Sequence, residues 1–188
     1  VMFGSFLMIP NFSAYFQHNL GYPRESLGTL YFCGGLTALS AMLITGRLID
    51  RFSSFSMGFI GTVFVISAVY MGYYRFPPLL PAVGIFIAFM TSMTVRGISF
   101  SSLASRVPSM HERASFMSFQ SAIQHAASEC AAIASTYLLT ESGTGMLIGM
   151  DRLALTCICL SLPVPFFMLF IEMRVRKAET HRRAIRTA

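Results

Sequence analysis

Apolar residues fall in runs of roughly twenty, and the breaks between them hold most of the charges, prolines and glycines. The runs lie at Met2 to Phe16, Leu27 to Thr45, Ser56 to Tyr73, Leu79 to Leu103, Ala114 to Leu139 and Leu153 to Met173. Most are long enough, as α-helices, to cross a hydrocarbon core of about 30 Å. The pattern predicts an all-α, polytopic membrane protein with six transmembrane helices over residues 1–173 and a basic tail over 174–188. The breaks are too short to hold a separate soluble domain. The first run is the exception in length, since a helix from Val1 to Phe16 covers only about 24 Å. It also lacks a charged leader and a small-residue cleavage site, so it does not read as a signal peptide. The expectation is a chain that begins partway through a helix of a longer polypeptide.

Composition agrees. Hydrophobic residues make up 54% of the chain and charged residues 12%, about half the charged share of soluble domains. Mean hydropathy is +0.62. Too few charges are present to cover a water-soluble globule, and too many apolar residues for a disordered chain. The net charge of +6 would fit a nucleic-acid partner only if the basic residues formed a surface stripe; instead they cap apolar runs. Nucleic acid is therefore not an expected partner, and the bilayer is. Cys33, Cys130, Cys157 and Cys159 all lie in apolar runs without a CxxC pair or clustered histidines. They read as small packing residues, and neither a metal nor a cofactor is expected.

The basic residues also set an orientation. Arg47, Arg51, Arg106, Arg113, Arg174, Arg176, Lys177, Arg182, Arg183 and Arg186 fall on one side of a six-span chain, and only Arg24, Arg75 and Arg152 on the other. The positive-inside rule makes the first side, and with it both chain ends, cytoplasmic in an inner or plasma membrane. Tyr15, Tyr22, Tyr31, Tyr70, Tyr73, Tyr74 and Tyr137 lie near the opposite ends of the spans, where the headgroup level favours them.

Candidate chemistry sits in three places. After the second span, Gly46-Arg47-Leu48-Ile49-Asp50-Arg51-Phe52 reads as a charged loop. Gly46 would let helices approach closely, and Asp50 would face the positive end of the following helix. Arg96 lies within the fourth span. In the fifth, Gln120, Ser121, Gln124, His125, Ser128 and Glu129 share one half of the helix, with Ser121, His125 and Glu129 in an i, i+4, i+8 line. A charge near the bilayer centre costs several kcal/mol (about 2.5–3.5 on insertion scales), so this half faces protein or a water-filled cavity. Two readings fit: a substrate path in which His125 or Glu129 takes up a proton, or a polar seam between helices with Arg96 snorkelling outward. Pro10, Pro163 and Pro165 interrupt the first and last spans. Gly28, Gly34, Gly35, Ala38 and Ala41 are further small contacts in the second. The segment Glu141 to Arg152, with Gly143, Gly145 and Gly149, reads as a flexible loop.

The Gly46–Phe52 loop, Arg96, and the run from Val107 to Ala126 (Val107-Pro108, then Arg113-Ala114-Ser115-Phe116-Met117-Ser118-Phe119, Gln120, Gln124 and His125) together resemble the C-terminal half of a major facilitator superfamily transporter, in its arabinose-efflux-permease-like or drug-efflux-like branch. The resemblance covers practically the whole chain, as helices seven to twelve of twelve. It departs at Phe52-Ser53-Ser54, where the family loop continues with glycine and basic residues. It departs again at Ala114, commonly glycine, and at His125, commonly glutamine. The resemblance implies a secondary transporter working by alternating access, in many members as proton-coupled efflux of a small organic solute. It implies a gating loop at Gly46, Arg47, Asp50 and Arg51, and a missing N-terminal six-helix half, or a second half-bundle, as partner. A non-transporting scaffold or gene remnant is the alternative reading. A rhomboid-like intramembrane serine protease, using Ser99 with His125, is the enzyme alternative, and Phe100 stands where such a site would want glycine. The expectation is that the chain is no enzyme.

Overall fold

The computed structural model describes residues 1–74, 81–109 and 111–187, with side chains described except at 179 and 181–187. Arg75, Leu79 (the start of the fourth predicted span) and Met110 lie outside the described residues. So do the side chains of Arg182, Arg183 and Arg186.

The molecule is mostly helical. In chain order the α-helices are α1 (Met2–Phe6), α2 (Phe12–Ala14), α3 (Leu27–Arg51), α4 (Ser54–Val69), α5 (Ala82–Ala104), α6 (Arg113–Leu138), α7 (Met150–Ser161) and α8 (Val164–Thr187). Four helical stretches are long and apolar enough to cross a membrane: Arg24–Arg51, Ser54–Tyr74, Ala82–Ala104 and Met150–Ala178. These correspond to the second, third, fourth and sixth predicted spans. The other two differ for separate physical reasons. Residues 2–19 follow a broken helical path: α1, a 3₁₀ turn at Ile9–Asn11, the single turn of α2, and a π turn at Tyr15–Asn19. Pro10 has no N–H to donate to the preceding turn, so the regular ladder stops there. The fifth segment, α6, is 26 residues long and unbroken, but its glutamines, serines, His125 and Glu129 make it too polar to qualify.

The last span bends where the prolines stand. α7 ends at Ser161 and α8 starts at Val164, so Pro163 lies in the break and Pro165 in the first turn of the new helix. α8 then runs on through the basic segment to Thr187, so the tail predicted from 174 continues a helix. The segment read as a flexible loop forms a short antiparallel hairpin of β1 (Thr140–Glu141) and β2 (Leu147–Ile148). Asn19 clamps it: its Nδ2 donates to the Leu147 carbonyl and its Oδ1 accepts from the Leu147 amide, both at 2.9 Å. Gly149, at φ +98°, turns the hairpin into α7, and a side chain there would lie 2.5 Å from the Leu138 carbonyl oxygen.

The core is aromatic and forms around the broken first segment. Leu7, Met8, Phe12, Tyr15 and Phe16 are buried against Val65, Val69 and Tyr73 of the third span, Ile85, Phe86 and Phe89 of α5, and Leu153, Ala154 and Cys157 of α7. Phe12 alone packs on Phe16, Tyr73, Phe86 and Phe89, mostly tilted or edge-on, as aromatic quadrupoles prefer. Tyr15 and Tyr73 therefore belong to this core and not to an interfacial belt. The Tyr15 hydroxyl donates to the Gly72 carbonyl at 2.9 Å.

α5 is the central helix, packed on α3 and α4. The closest approach is at Gly61 of α4, where a Cβ would lie 2.7 Å from the backbone nitrogen of Arg96. Phe86 fills the space at Gly34, Met168 at Gly58 and Ile85 at Gly72. At Gly28, Gly35 and Gly46 a methyl group would meet nothing. The close contact expected at Gly46 is thus made elsewhere, by glycines facing α5 and α8. Outward, α3, α4 and α8 present Phe32, Leu36, Leu43, Phe64, Phe166 and Phe167, an apolar surface far larger than soluble monomers expose.

Candidate functional site

Gly46, Arg47, Asp50 and Arg51 do not form a loop. α3 continues through all four to Arg51, and only Phe52 and Ser53 connect it to α4. Leu, Ile and Arg favour helix, and no proline or helix-ending glycine follows, so nothing in this stretch ends α3 earlier. All four residues are exposed, and the Arg51 guanidinium lies 5.8 Å from the centre of the Phe52 ring.

The positive end of α4 is capped as predicted in kind, but by another carboxylate. Ser53 Oγ accepts from the Ser56 amide at 3.1 Å, and Oε2 of Glu172, from α8, accepts from the Phe55 amide at 2.6 Å. Glu172 is only 8% exposed and also pairs with Arg176 one turn on, at 2.5 Å. Asp50 lines a cavity of about 270 Å³ with Arg106, Glu172 and Arg176, so acid and base groups from α3, α8 and the segment after α5 meet at one end of the bundle. The sequence signal for Glu172 was a single acid inside the run Phe170-Ile171-Glu172-Met173, four residues before Arg176. Glu172→Ala should lower stability by about 1.5–3 kcal/mol, because a charged hydrogen bond to a buried helix end is lost. Arg176→Ala should cost under about 1 kcal/mol, since its side chain is 66% exposed. Denaturant unfolding of the two variants in detergent checks the difference.

Arg96 is 0% exposed. Its guanidinium ties three segments together: Nη1 donates to Ser161 Oγ of α7 at 2.9 Å, and Nη2 donates to Ser5 Oγ of α1 at 2.5 Å and to the Val1 carbonyl at 3.4 Å. Nε has no hydrogen-bond partner among the described residues. No carboxylate pairs with Arg96 among the described residues, Glu129 included. Neither Ser5 nor Ser161 stood out in the sequence, because a serine in an apolar helix carries no sign of which neighbour it meets.

α6 divides into three sectors, where periodicity alone gave two. Ser128, Ala131 and Ser135 are buried, with Gln120 and Gln124 half-buried beside them. Ser121, His125 and Glu129 are exposed along one flank. Phe119, Ile123, Ile133 and Tyr137 form an exposed apolar sector, with Tyr137 84% exposed. The predicted polar half is thus split: Gln120, Gln124 and Ser128 turn inward, and Ser121, His125 and Glu129 outward. Ser128 Oγ donates to the Gln124 carbonyl within the helix, at 2.8 Å. Gln124 Nε2 is buried without a partner among the described residues.

The inward glutamines line a cavity of about 620 Å³ between the end of α5, the first turns of α6, and α8. Phe100, Phe116, Phe119 and Phe170 wall it, and Arg106 and Arg174 stand at it. Ser99 is buried and donates to its own helix at the Val95 carbonyl, 2.8 Å away, whereas His125 is exposed on α6. The structure does not bring these two together. Cys157 is buried, Cys33 is half-buried, and Cys130 and Cys159 are exposed. No group of three or more His, Cys, Asp or Glu placed to hold a metal occurs among the described residues.

Comparison of the chain with protein-family models, with curated proteins and with solved structures finds no match. What the fold defines is a mostly helical chain with four helices of membrane-crossing length and apolarity.

Proposed function

We propose that the chain is the C-terminal six-helix half of a secondary active transporter of the major facilitator type, effluxing a small organic solute by alternating access with proton coupling. In this reading the first segment and α6 complete the six spans, both ends face the cytoplasm, and the partner is a second six-helix half. The observation that carries the reading is the exposed line Ser121, His125 and Glu129 on α6. Glu129 has no ion-pair partner among the described residues, and it stands on a helix packed against the first segment and against α7, which belongs to a membrane-length apolar stretch. Facing lipid, that carboxylate would cost several kcal/mol (about 2.5–3.5 on insertion scales); facing a solvated conduit between two halves, it costs little. α3 supports the same reading. It buries only Leu30, Gly34, Ala41, Thr45 and Ile49, a single stripe, and leaves the rest of a 25-residue helix for lipid and a second half. His125 and Glu129 are then the proton-carrying groups, Gln120, Gln124 and Ser128 stand on the inner side of the same helix, and Arg96 holds the wall together.

Cysteine accessibility in native membranes tests this. In a cysteine-free background, single cysteines at Ser121, His125 and Glu129 should react with a membrane-impermeant thiol reagent in at least one state of the transport cycle. Cysteines at Ser128, Ala131 and Ser135 should stay protected throughout. Protection at all six positions in every state would overturn the reading. The second reading, a membrane scaffold that moves nothing, has one observation in its favour: Arg96 is consumed by three internal contacts. In that case Glu129→Gln in the assembled transporter would leave solute flux unchanged at every pH; the transporter reading expects the flux to be lost.

A further inference from the structure

We propose that the cavity between α5, α6 and α8 seats one anionic phospholipid, its phosphate held by Arg106 and Arg174 and an acyl chain lying against the phenylalanines. The volume, about 620 Å³, falls in the range of roughly 300–1,000 Å³ typical of small-molecule sites. Its walls are almost wholly apolar, and the two cations stand together at one end of the bundle: Arg106 just past the end of α5, and Arg174 on α8. Arg174 does not extend freely into solvent. Its guanidinium lies 5.1 Å from the centre of the Phe170 ring, drawn back one helical turn toward the cavity.

Below the cations, Gln120 and Gln124 stand one and two turns deeper than Phe116, about 6 and 12 Å at 1.5 Å per residue. The Gln120 side-chain amide can donate to the ester carbonyls of a glycerolipid, which accept hydrogen bonds and cannot donate them. The cavity therefore joins cations at one end to an apolar trough, as a headgroup phosphate is joined to an acyl chain in a phospholipid. Basic sites between membrane helices bind anionic headgroups on this principle. The inference requires that the helices lie in a bilayer, and it is independent of whether the protein transports anything.

The full chain, purified in detergent and offered equal amounts of phosphatidylglycerol and phosphatidylcholine, should retain one phosphatidylglycerol in preference by native mass spectrometry. Arg106→Gln with Arg174→Gln should reduce that preference roughly thirtyfold, at about fivefold for each basic-residue contact. Ile123→Trp, which fills the trough from an exposed position, should lower retention of both lipids. Arg47→Gln with Arg51→Gln, equally basic but away from the cavity, should leave the preference intact. The proposal is overturned by equal retention of the two lipids in the unaltered protein, by equal loss in the Arg47/Arg51 control, or by displacement with inorganic phosphate. The assay reads lipid retention alone, so its failure would leave the transporter reading where the accessibility test puts it.

Discussion

Gly61→Ala is expected to lower stability by about 1–3 kcal/mol, while Gly46→Ala raises it by about 0.5–1 kcal/mol. Both glycines lie in long apolar helices, yet their surroundings differ. At Gly61 the added methyl would stand 2.7 Å from the Arg96 backbone nitrogen and 3.0 Å from its Cα. Backbone cannot rotate away as a side-chain tip can, so α4 and α5 must separate along their main contact. At Gly46 the methyl meets nothing, and the only effect is the better helix propensity of alanine. Gly58→Ala should fall between the two, since it meets the flexible end of Met168. Chemical unfolding of the three variants in one detergent gives the ranking, and equal effects at Gly61 and Gly46 would contradict the packing described.

The second large effect is a rescue. Ser5→Ala and Ser161→Ala should each cost about 1–3 kcal/mol or more, because each strips an acceptor from a guanidinium that is 0% exposed. Adding Arg96→Met to the double serine variant should restore most of that loss, since a buried charge replaced by an apolar side chain of similar length is often tolerated. The single Arg96→Lys variant should behave like the serine variants, because one ammonium cannot span both hydroxyls as a planar guanidinium does. A double-mutant cycle gives the coupling. If Arg96→Met worsens the serine variants, the charge is held by something other than Ser5 and Ser161.

Much of the helical layout was legible in the pattern of apolar runs, because length and apolarity are local properties. The second, third, fourth and sixth runs became helices of membrane-crossing length, and the break at Pro163 followed from a missing N–H. What depended on a neighbour was not legible. The need for a carboxylate at the start of α4 was foreseen, but Asp50 is close in sequence and Glu172 close in space. Tyr15 and Tyr73 have the residue type and position of interfacial tyrosines, and only the meeting of the first and third spans shows that they pack on each other. The line Ser121, His125 and Glu129 could be drawn from helical spacing, but its separation from Gln124 and Ser128 depends on which side α1 and α7 cover.

The broken path of residues 2–19 bears on the order of assembly. These residues leave the ribosome before the later segments they pack on, yet Phe12, Tyr15 and Phe16 share their core with Tyr73, Phe86, Phe89 and Leu153, and Ser5 accepts from Arg96, itself held by Ser161. An irregular helix interrupted by proline gains little from its own hydrogen-bond ladder, so its ordering waits on contacts far along the chain. A segment made before the partners that bury it is thus a keystone set last, and pulse-labelled intermediates trapped before α7 is synthesised should leave it open to proteolysis.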